Sequence, residues 1–224
     1  MPTVLVVGAS RGIGLEFARQ YAADGARVIG THRQPDDSIA LRALGVRPIA
    51  LDVLDAGALA GLGWQLDGEP LDLAIVNAGV YGPRSSGLQA PTQAEFDAVM
   101  RTNVHAPMQL IALLAPMLAT TRGKLVVISS KMGSLGLMSN AGGWLYRASK
   151  AAVNVAMRAA SLELGAQGVT CMAFHPGWVR TDMGGADADL APGDAVSAMR
   201  RVIGAANASH NGKFLNYNGE QLAW

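Results

Sequence analysis

The chain has 224 residues, half of them hydrophobic, with a formal net charge of +1 and a mean hydropathy of +0.22. Those values exclude a disordered polymer, and the length suits one well-buried domain, expected over residues 1–224. No basic run is longer than Arg200–Arg201, so nucleic-acid binding is not expected, and the lone Cys171 excludes an internal disulfide and fits a reducing compartment.

The opening "MPTVLVVGAS" lacks a positively charged leader and reads directly as a strand. Short apolar runs recur at 3–8, 26–31, 46–51, 71–76, 124–129, 169–174 and 213–217. Most are continuous and not alternating, as expected of strands covered on both faces. Helical patterns fall between them at Gly14–Ala23, Thr92–Leu118, Trp144–Leu164 and Gly193–Ala206, and Thr92 with Glu95 forms a capping-box pattern. Strand and helix in alternation predict a doubly wound α/β fold, a Rossmann-type parallel sheet of about seven strands with helices on both faces. The most apolar stretch, Leu110–Ala119, is too short to span a bilayer and contains Pro116, so no membrane is expected and the location is expected to be cytoplasmic. His32, His105, His175 and His210 share no metal-ligand spacing, so no metal is expected.

The first strand–helix junction reads "GASRGIG", with Gly8, Gly12 and Gly14 where a chain must turn tightly and let a ligand approach. The helix that follows offers free N–H groups and a positive dipole end, a seat for a pyrophosphate. Ser10, Arg11 and Ile13 complete the loop. The spacing is G-x-x-x-G-x-G and not the usual dinucleotide pattern, which leaves a plain glycine turn as the alternative. "GASRG" also matches a nucleophile elbow around Ser10, but only nine residues precede that serine, too few for the sheet an oxyanion hole needs. The second strand ends "GTHR", with Thr31 and Arg33 and no acid at its tip. Arg33 and Arg11 suit a ribose 2′-phosphate, which favours NADP(H) over NAD(H), while Asp36 and Asp37 suit the start of the next helix.

"YRASK" places Tyr146 and Lys150 one helical turn apart on one face. An ammonium there is expected to lower the tyrosine pKa and make it an acid–base group near neutrality. A solvated polar helix face is the alternative.

"GASRGIG", "NAG" at 77–79, "ISS" at 128–130 and "YRASK", taken in order, resemble the short-chain dehydrogenase/reductase superfamily across essentially the whole chain. "ISSKMGS", "GGWLYRASKAA", "HPGWVRTDMGG" and "GKFLNYNGEQLAW" are similar to its branch of C-factor-like proteins and sniffer-type carbonyl reductases. The resemblance implies an enzyme that reduces a ketone or aldehyde with NADPH, or runs the reverse. In it Tyr146 exchanges the proton, Lys150 tunes that tyrosine and holds the nicotinamide ribose, and Ser130 binds the carbonyl oxygen. Asn103 would support a proton-relay water through its backbone. Asp52 and Val53 would meet the adenine, and Asn77, Ala78 and Gly79 the adenosine ribose. Pro176, Gly177, Val179 and Thr181 would lie along the nicotinamide carboxamide. Relatives often assemble through the two long helices, so a dimer or tetramer is possible beside a monomer.

Two departures stand out. Most members place the serine thirteen positions before the tyrosine, whereas Ser130 stands sixteen before Tyr146 and Ser134 twelve. Ser130 is preferred because it directly follows the apolar strand. Val7 replaces the threonine often found before the first glycine, which leaves a turn hydrogen bond unassigned. Tyr81, Leu137, Met138, Trp144, Trp178 and Met183 lie on loops at the expected substrate end, and a mostly apolar lining is predicted. The competing function is a non-catalytic regulator that senses NADP on the same fold; the intact set of four catalytic-type residues favours an enzyme.

Overall fold

A computed structural model describes residues 1–66, 68–84 and 87–224. Seven strands form one sheet: β1 (Thr3–Val7), β2 (Arg27–His32), β3 (Arg47–Ala50), β4 (Leu73–Val76), β5 (Lys124–Ile128), β6 (Thr170–His175) and β7 (Lys213–Asn216). Their order is β3-β2-β1-β4-β5-β6-β7, and every pairing is parallel. Chain order reverses at β1, which pairs β2 on one side and β4 on the other. That switch point opens a crevice at the carboxyl ends of the strands.

All five residues of β1 are buried, because successive side chains enter opposite faces and both faces are covered. Leu5 and Val7 pack with Leu110, Leu114 and Met157 on one face, while Val4 and Val6 pack with Phe17, Val196 and Met199 on the other. The first face is closed by α5 (Ala106–Thr121) and α6 (Trp144–Gly165), the second by α1 (Gly12–Ala23) and α7 (Pro192–Ala205).

Two helices escape the periodicity argument. The helix α2 (Asp37–Ala43) carries Asp37 in its first turn, where a carboxylate meets the positive dipole end. The helix α3 (Ala56–Gln65) starts where Asp55 accepts from the N–H groups of Gly57 at 2.8 Å and Ala58 at 3.1 Å.

The expected helix 92–118 is continuous to Thr121 but not uniform. The Thr92–Glu95 capping box opens α4 (Gln93–Met100), and a π-turn over Arg101–His105 leads into α5. The continuous run Gln93–Thr121 spans 29 residues with a mean hydropathy of 1.3 in its most apolar window. By length and composition this longer helix meets the requirement for a membrane span that the segment Leu110–Ala119 alone does not. Here Leu110, Leu114 and Leu118 of this helix are buried against the sheet.

Candidate active site

The glycine loop is fixed by close backbone approaches. Gly8 has φ +83°, and a Cβ there would lie 2.9 Å from the backbone of Ala78. A Cβ on Gly14 would sit 1.9 Å from the Gly8 carbonyl oxygen, so only glycine lets α1 start against β1. Asn77 Nδ2 donates to that same carbonyl at 2.9 Å. The Gly8 N–H donates to Thr31 Oγ1 at 2.9 Å. A threonine from β2 thus supplies the turn hydrogen bond that Val7 cannot.

Above the loop lies a cleft of about 920 Å³ at the switch point. Gly8, Ser10, Arg11, Gly12 and Ile13 form its floor, with Thr31 and Arg33 at the end of β2. Val53, Asn77, Ala78 and Gly79 form one wall. Tyr146, Lys150, Pro176 and Thr181 close the far end. Two glycines keep the cleft open: Gly12 has φ +55°, with a Cβ there 3.2 Å from Thr181 Cγ2, and a Cβ on Gly79 would crowd Asn103 Oδ1 at 3.3 Å beside Lys150 Nζ. Arg11 occupies the N-cap position of α1 without a side-chain cap, so first-turn N–H groups stay available to a bound anion. Arg11 pairs with Asp182 at the surface, and exposed Arg33 makes no ion pair among the described residues.

Four expected cofactor-binding residues lie off this cleft. Asp52 Oδ1 accepts from the Leu54 N–H at 2.9 Å in a local turn. Val179 is buried and bridges to Leu190. Gly177 lines a neighbouring pocket instead. Gly14 sits beneath the loop and shapes it from below.

Tyr146 and Lys150, the expected acid–base pair, stand on α6, which opens at Gly143 in the left-handed conformation (φ +64°). Tyr146 is 8% exposed and Lys150 6%. Lys150 Nζ donates to the Ile128 carbonyl at 2.9 Å and lies 5.7 Å from the Tyr146 ring centre. The Ser130 hydroxyl accepts from the Met132 N–H at 3.1 Å and lies near enough to the Tyr146 phenol to favour its ionised form. Ser134 is engaged elsewhere: its hydroxyl is bonded to the carbonyls of Ala223 at 2.7 Å and Trp224 at 3.2 Å. The three-residue lengthening between serine and tyrosine therefore bulges toward the 223–224 segment and leaves Ser130 at the phenol.

The expected acidification of Tyr146 is corrected by the structure. Burial pushes the phenol up to about 12; the nearby Ser130 hydroxyl opposes this and the Tyr81 hydroxyl adds to it. Burial also pushes Lys150 down to about 8, and its ammonium is turned to a backbone carbonyl, not to the phenol oxygen. Desolvation is the largest cause of both shifts. The phenol is consequently held as a proton donor at neutral pH.

Asn103 sits in the π-turn, a distortion that recurs at functional sites. Its side chain joins three elements: Oδ1 accepts from the Val80 N–H at 2.8 Å, and Nδ2 donates to the Val80 carbonyl at 2.8 Å and to Ser149 Oγ at 3.0 Å. Asn103 thereby fastens the exit of β4 to α6, one residue before Lys150.

Tyr81 is the residue whose role the motifs understated. Its ring stacks on Tyr146 with centres 4.7 Å apart and an interplanar angle of 24°. Arg84 lies over its other surroundings, 5.4 Å from the Tyr81 ring centre, and donates to the Met183 carbonyl at 3.3 Å. Met183 lines the cleft, so this contact spans its mouth. Two other expected substrate-end residues are also tied to the backbone: Trp144 Nε1 donates to the Gln89 carbonyl at 3.1 Å and Trp178 Nε1 to the Gly184 carbonyl at 2.8 Å. Arg147, inside "YRASK", donates to the Gly142 carbonyl at 2.8 Å and to Asn140 Oδ1 at 2.9 Å. These links were hidden because their partners come from loops without a periodic pattern.

The short chain dehydrogenase family profile matches residues 2–189. The chain is 38% identical over 156 residues to the C-signal protein of Myxococcus xanthus, covering 69% of this chain and 93% of that one. Its structure matches a short-chain dehydrogenase/reductase of Burkholderia multivorans, solved with bound NADP, with TM-score 0.92, 31% identity and coverage of 100% and 99%. It also matches the carbonyl reductase Sniffer of D. melanogaster with TM-score 0.90, 27% identity and complete coverage of both chains. With a parallel sheet reversing at β1, a glycine-floored cleft and a buried tyrosine–lysine pair beside a serine, this chain belongs to the short-chain dehydrogenase/reductase family of oxidoreductases. Within that family its fold is similar to solved carbonyl reductases, Sniffer among them.

Proposed function

We propose that this enzyme reduces a ketone or aldehyde to the alcohol with NADPH, and that Tyr146 delivers the proton. The observation that carries this is the buried phenol at the end of the dinucleotide cleft, one helical turn from Lys150 and kept protonated by burial. NADPH, when bound, supplies the hydride. The residues around the cleft fit it: the Gly8–Gly12 floor admits a pyrophosphate, and Gly79 leaves room beside Lys150 for the nicotinamide ribose. Arg33 and Arg11, with no carboxylate at the end of β2, favour the 2′-phosphorylated dinucleotide.

The chain's own groups divide the work. Ser130 and Tyr146 both donate toward the substrate oxygen and stabilise the charge that develops there. Tyr146 then gives up its proton to that oxygen, and the charged Lys150 steadies the resulting phenolate. Asn103 holds the β4 exit against α6 so that Lys150 keeps its place. Ser134 takes no part.

A non-catalytic NADP-sensing role is the second reading, favoured by the likeness to the C-signal protein. An NADPH-oxidation screen against aromatic, aliphatic and quinone carbonyls separates the two, with NADH run in parallel. The enzyme reading expects turnover with NADPH, and a preference over NADH that narrows about tenfold in Arg33→Ala, the loss of one charge-assisted contact. NADPH binding without reduction of any of these carbonyls overturns it in favour of sensing. Exposed Val155 (69%) and Leu162 (66%) on α6 support assembly into a homo-oligomer, which light scattering tests.

A further inference from the structure

The lengthened loop after Ser130 builds something besides a bulge. Ser134 and the Gly136 N–H hold the Ala223 and Trp224 carbonyls, and Trp224 stacks on Phe214 of β7 at 5.4 Å between ring centres. Between that loop and the segment following β7 lies a second pocket of about 390 Å³. It adjoins the first: Pro176 lines the cleft, and its chain neighbours His175 and Gly177 line this pocket together with Lys131. Leu137, Leu222 and Trp178 give it apolar walls.

The apolar lining expected from the sequence is only half of what is found. Lys131 faces this pocket together with Asp189 and Glu220, and none of the three makes an ion pair among the described residues. Cation and anions therefore stand around one cavity without neutralising each other. His175 adds a neutral imidazole, since burial and the Lys131 charge push it down to about 4. Its Nδ1 is buried without a hydrogen-bond partner. A small neutral carbonyl compound uses none of these groups.

We propose that this pocket holds the distal end of the carbonyl substrate, and that the end it fits is zwitterionic, of the amino-acid or short-peptide type. The carboxylate lies toward Lys131 and the ammonium toward Asp189 and Glu220, while the apolar walls take the body that joins this end to the carbonyl at Ser130 and Tyr146. Lys131, Asp189 and Glu220 are then specificity-determining residues, separate from the proton-transfer groups. This rests on the carbonyl reductase reading above.

The test compares two aldehydes with NADPH, para-formylphenylalanine and para-tolualdehyde, which differ in the zwitterionic end. Ligand-observed NMR with para-methylphenylalanine, which has no carbonyl to reduce, reports the pocket independently of turnover. The expected result is a kcat/KM ratio of at least tenfold in favour of the zwitterionic aldehyde, falling toward one in Lys131→Gln and in Glu220→Gln. The NMR signal is expected in the parent and lost in Lys131→Gln. A parent ratio of one or below, or variants that slow both aldehydes equally, overturns the proposal. Lys131-dependent NMR binding without reduction of either aldehyde supports the pocket and overturns the carbonyl reductase reading instead.

Discussion

The two sides of the cleft are held by different physics. On the glycine-loop side, β1, α1 and β4 meet through backbone contacts so close that a single methyl group has no room, as at Gly8 and Gly14. On the opposite side, beyond β5 and β6, position is set by side chains that reach far along the chain, Ser134 to Ala223 and Arg84 to Met183, and by local ones such as Arg147 to Asn140. The first arrangement suits a ligand whose shape does not vary, the dinucleotide. The second can be changed residue by residue without disturbing the sheet, which suits a side that chooses the substrate.

The contrast is sharpened most by the two serines. Ser130→Ala is expected to lower kcat about 10²-fold with little change in stability, because it removes a donor at the reacting oxygen. Ser134→Ala is expected to leave chemistry in place and cost about 1 kcal/mol of stability through its lost tether to the 223–224 segment. Steady-state kinetics and denaturant melts on both variants check this, and reversed results would exchange their roles. Next in size is Gly14→Ala on the rigid side. With a Cβ driven to 1.9 Å from the Gly8 carbonyl oxygen, the loop must shift, at a cost of about 1–3 kcal/mol and most of the NADPH affinity. Fluorescence titration of NADPH with wild-type affinity in this variant would break the distinction. The smallest effect belongs to Tyr81, whose stacking on Tyr146 is worth about 0.5–1.5 kcal/mol. Tyr81→Ala is expected to lower kcat two- to tenfold by that estimate, and Tyr81→Phe, which keeps the ring, to restore it. Equal losses in both variants would show that the hydroxyl matters and the ring does not.

What could be read from the sequence follows the same division. The strands, the glycine loop and the tyrosine–lysine pair rest on local requirements, so their residues sit together in the sequence and their meaning survives without coordinates. Thr31 illustrates the limit: its place at the end of β2 was visible, but its hydrogen bond to Gly8 joins residues far apart in the chain. The π-turn at Arg101–His105 left no trace in the hydrophobic pattern, since a single wide turn hardly alters helical periodicity. The direction of the Tyr146 shift was misjudged for a related reason. Spacing shows that a lysine is near, whereas burial, which decides the balance, comes from the whole fold. The preference for Ser130 over Ser134 rests in the sequence on its place after the apolar strand, whereas the Ser134 bond to the Ala223 carbonyl joins residues far apart in the chain.

The phenol at Tyr146 as proton donor is the claim on which the functional reading stands, and Tyr146→Phe tests it by removing one oxygen. At saturating NADPH with a carbonyl substrate, the variant is expected to turn over about 10²-fold or more slowly, while its NADPH dissociation constant stays within about twofold of the parent. Turnover at the parent rate with binding intact would contradict the account.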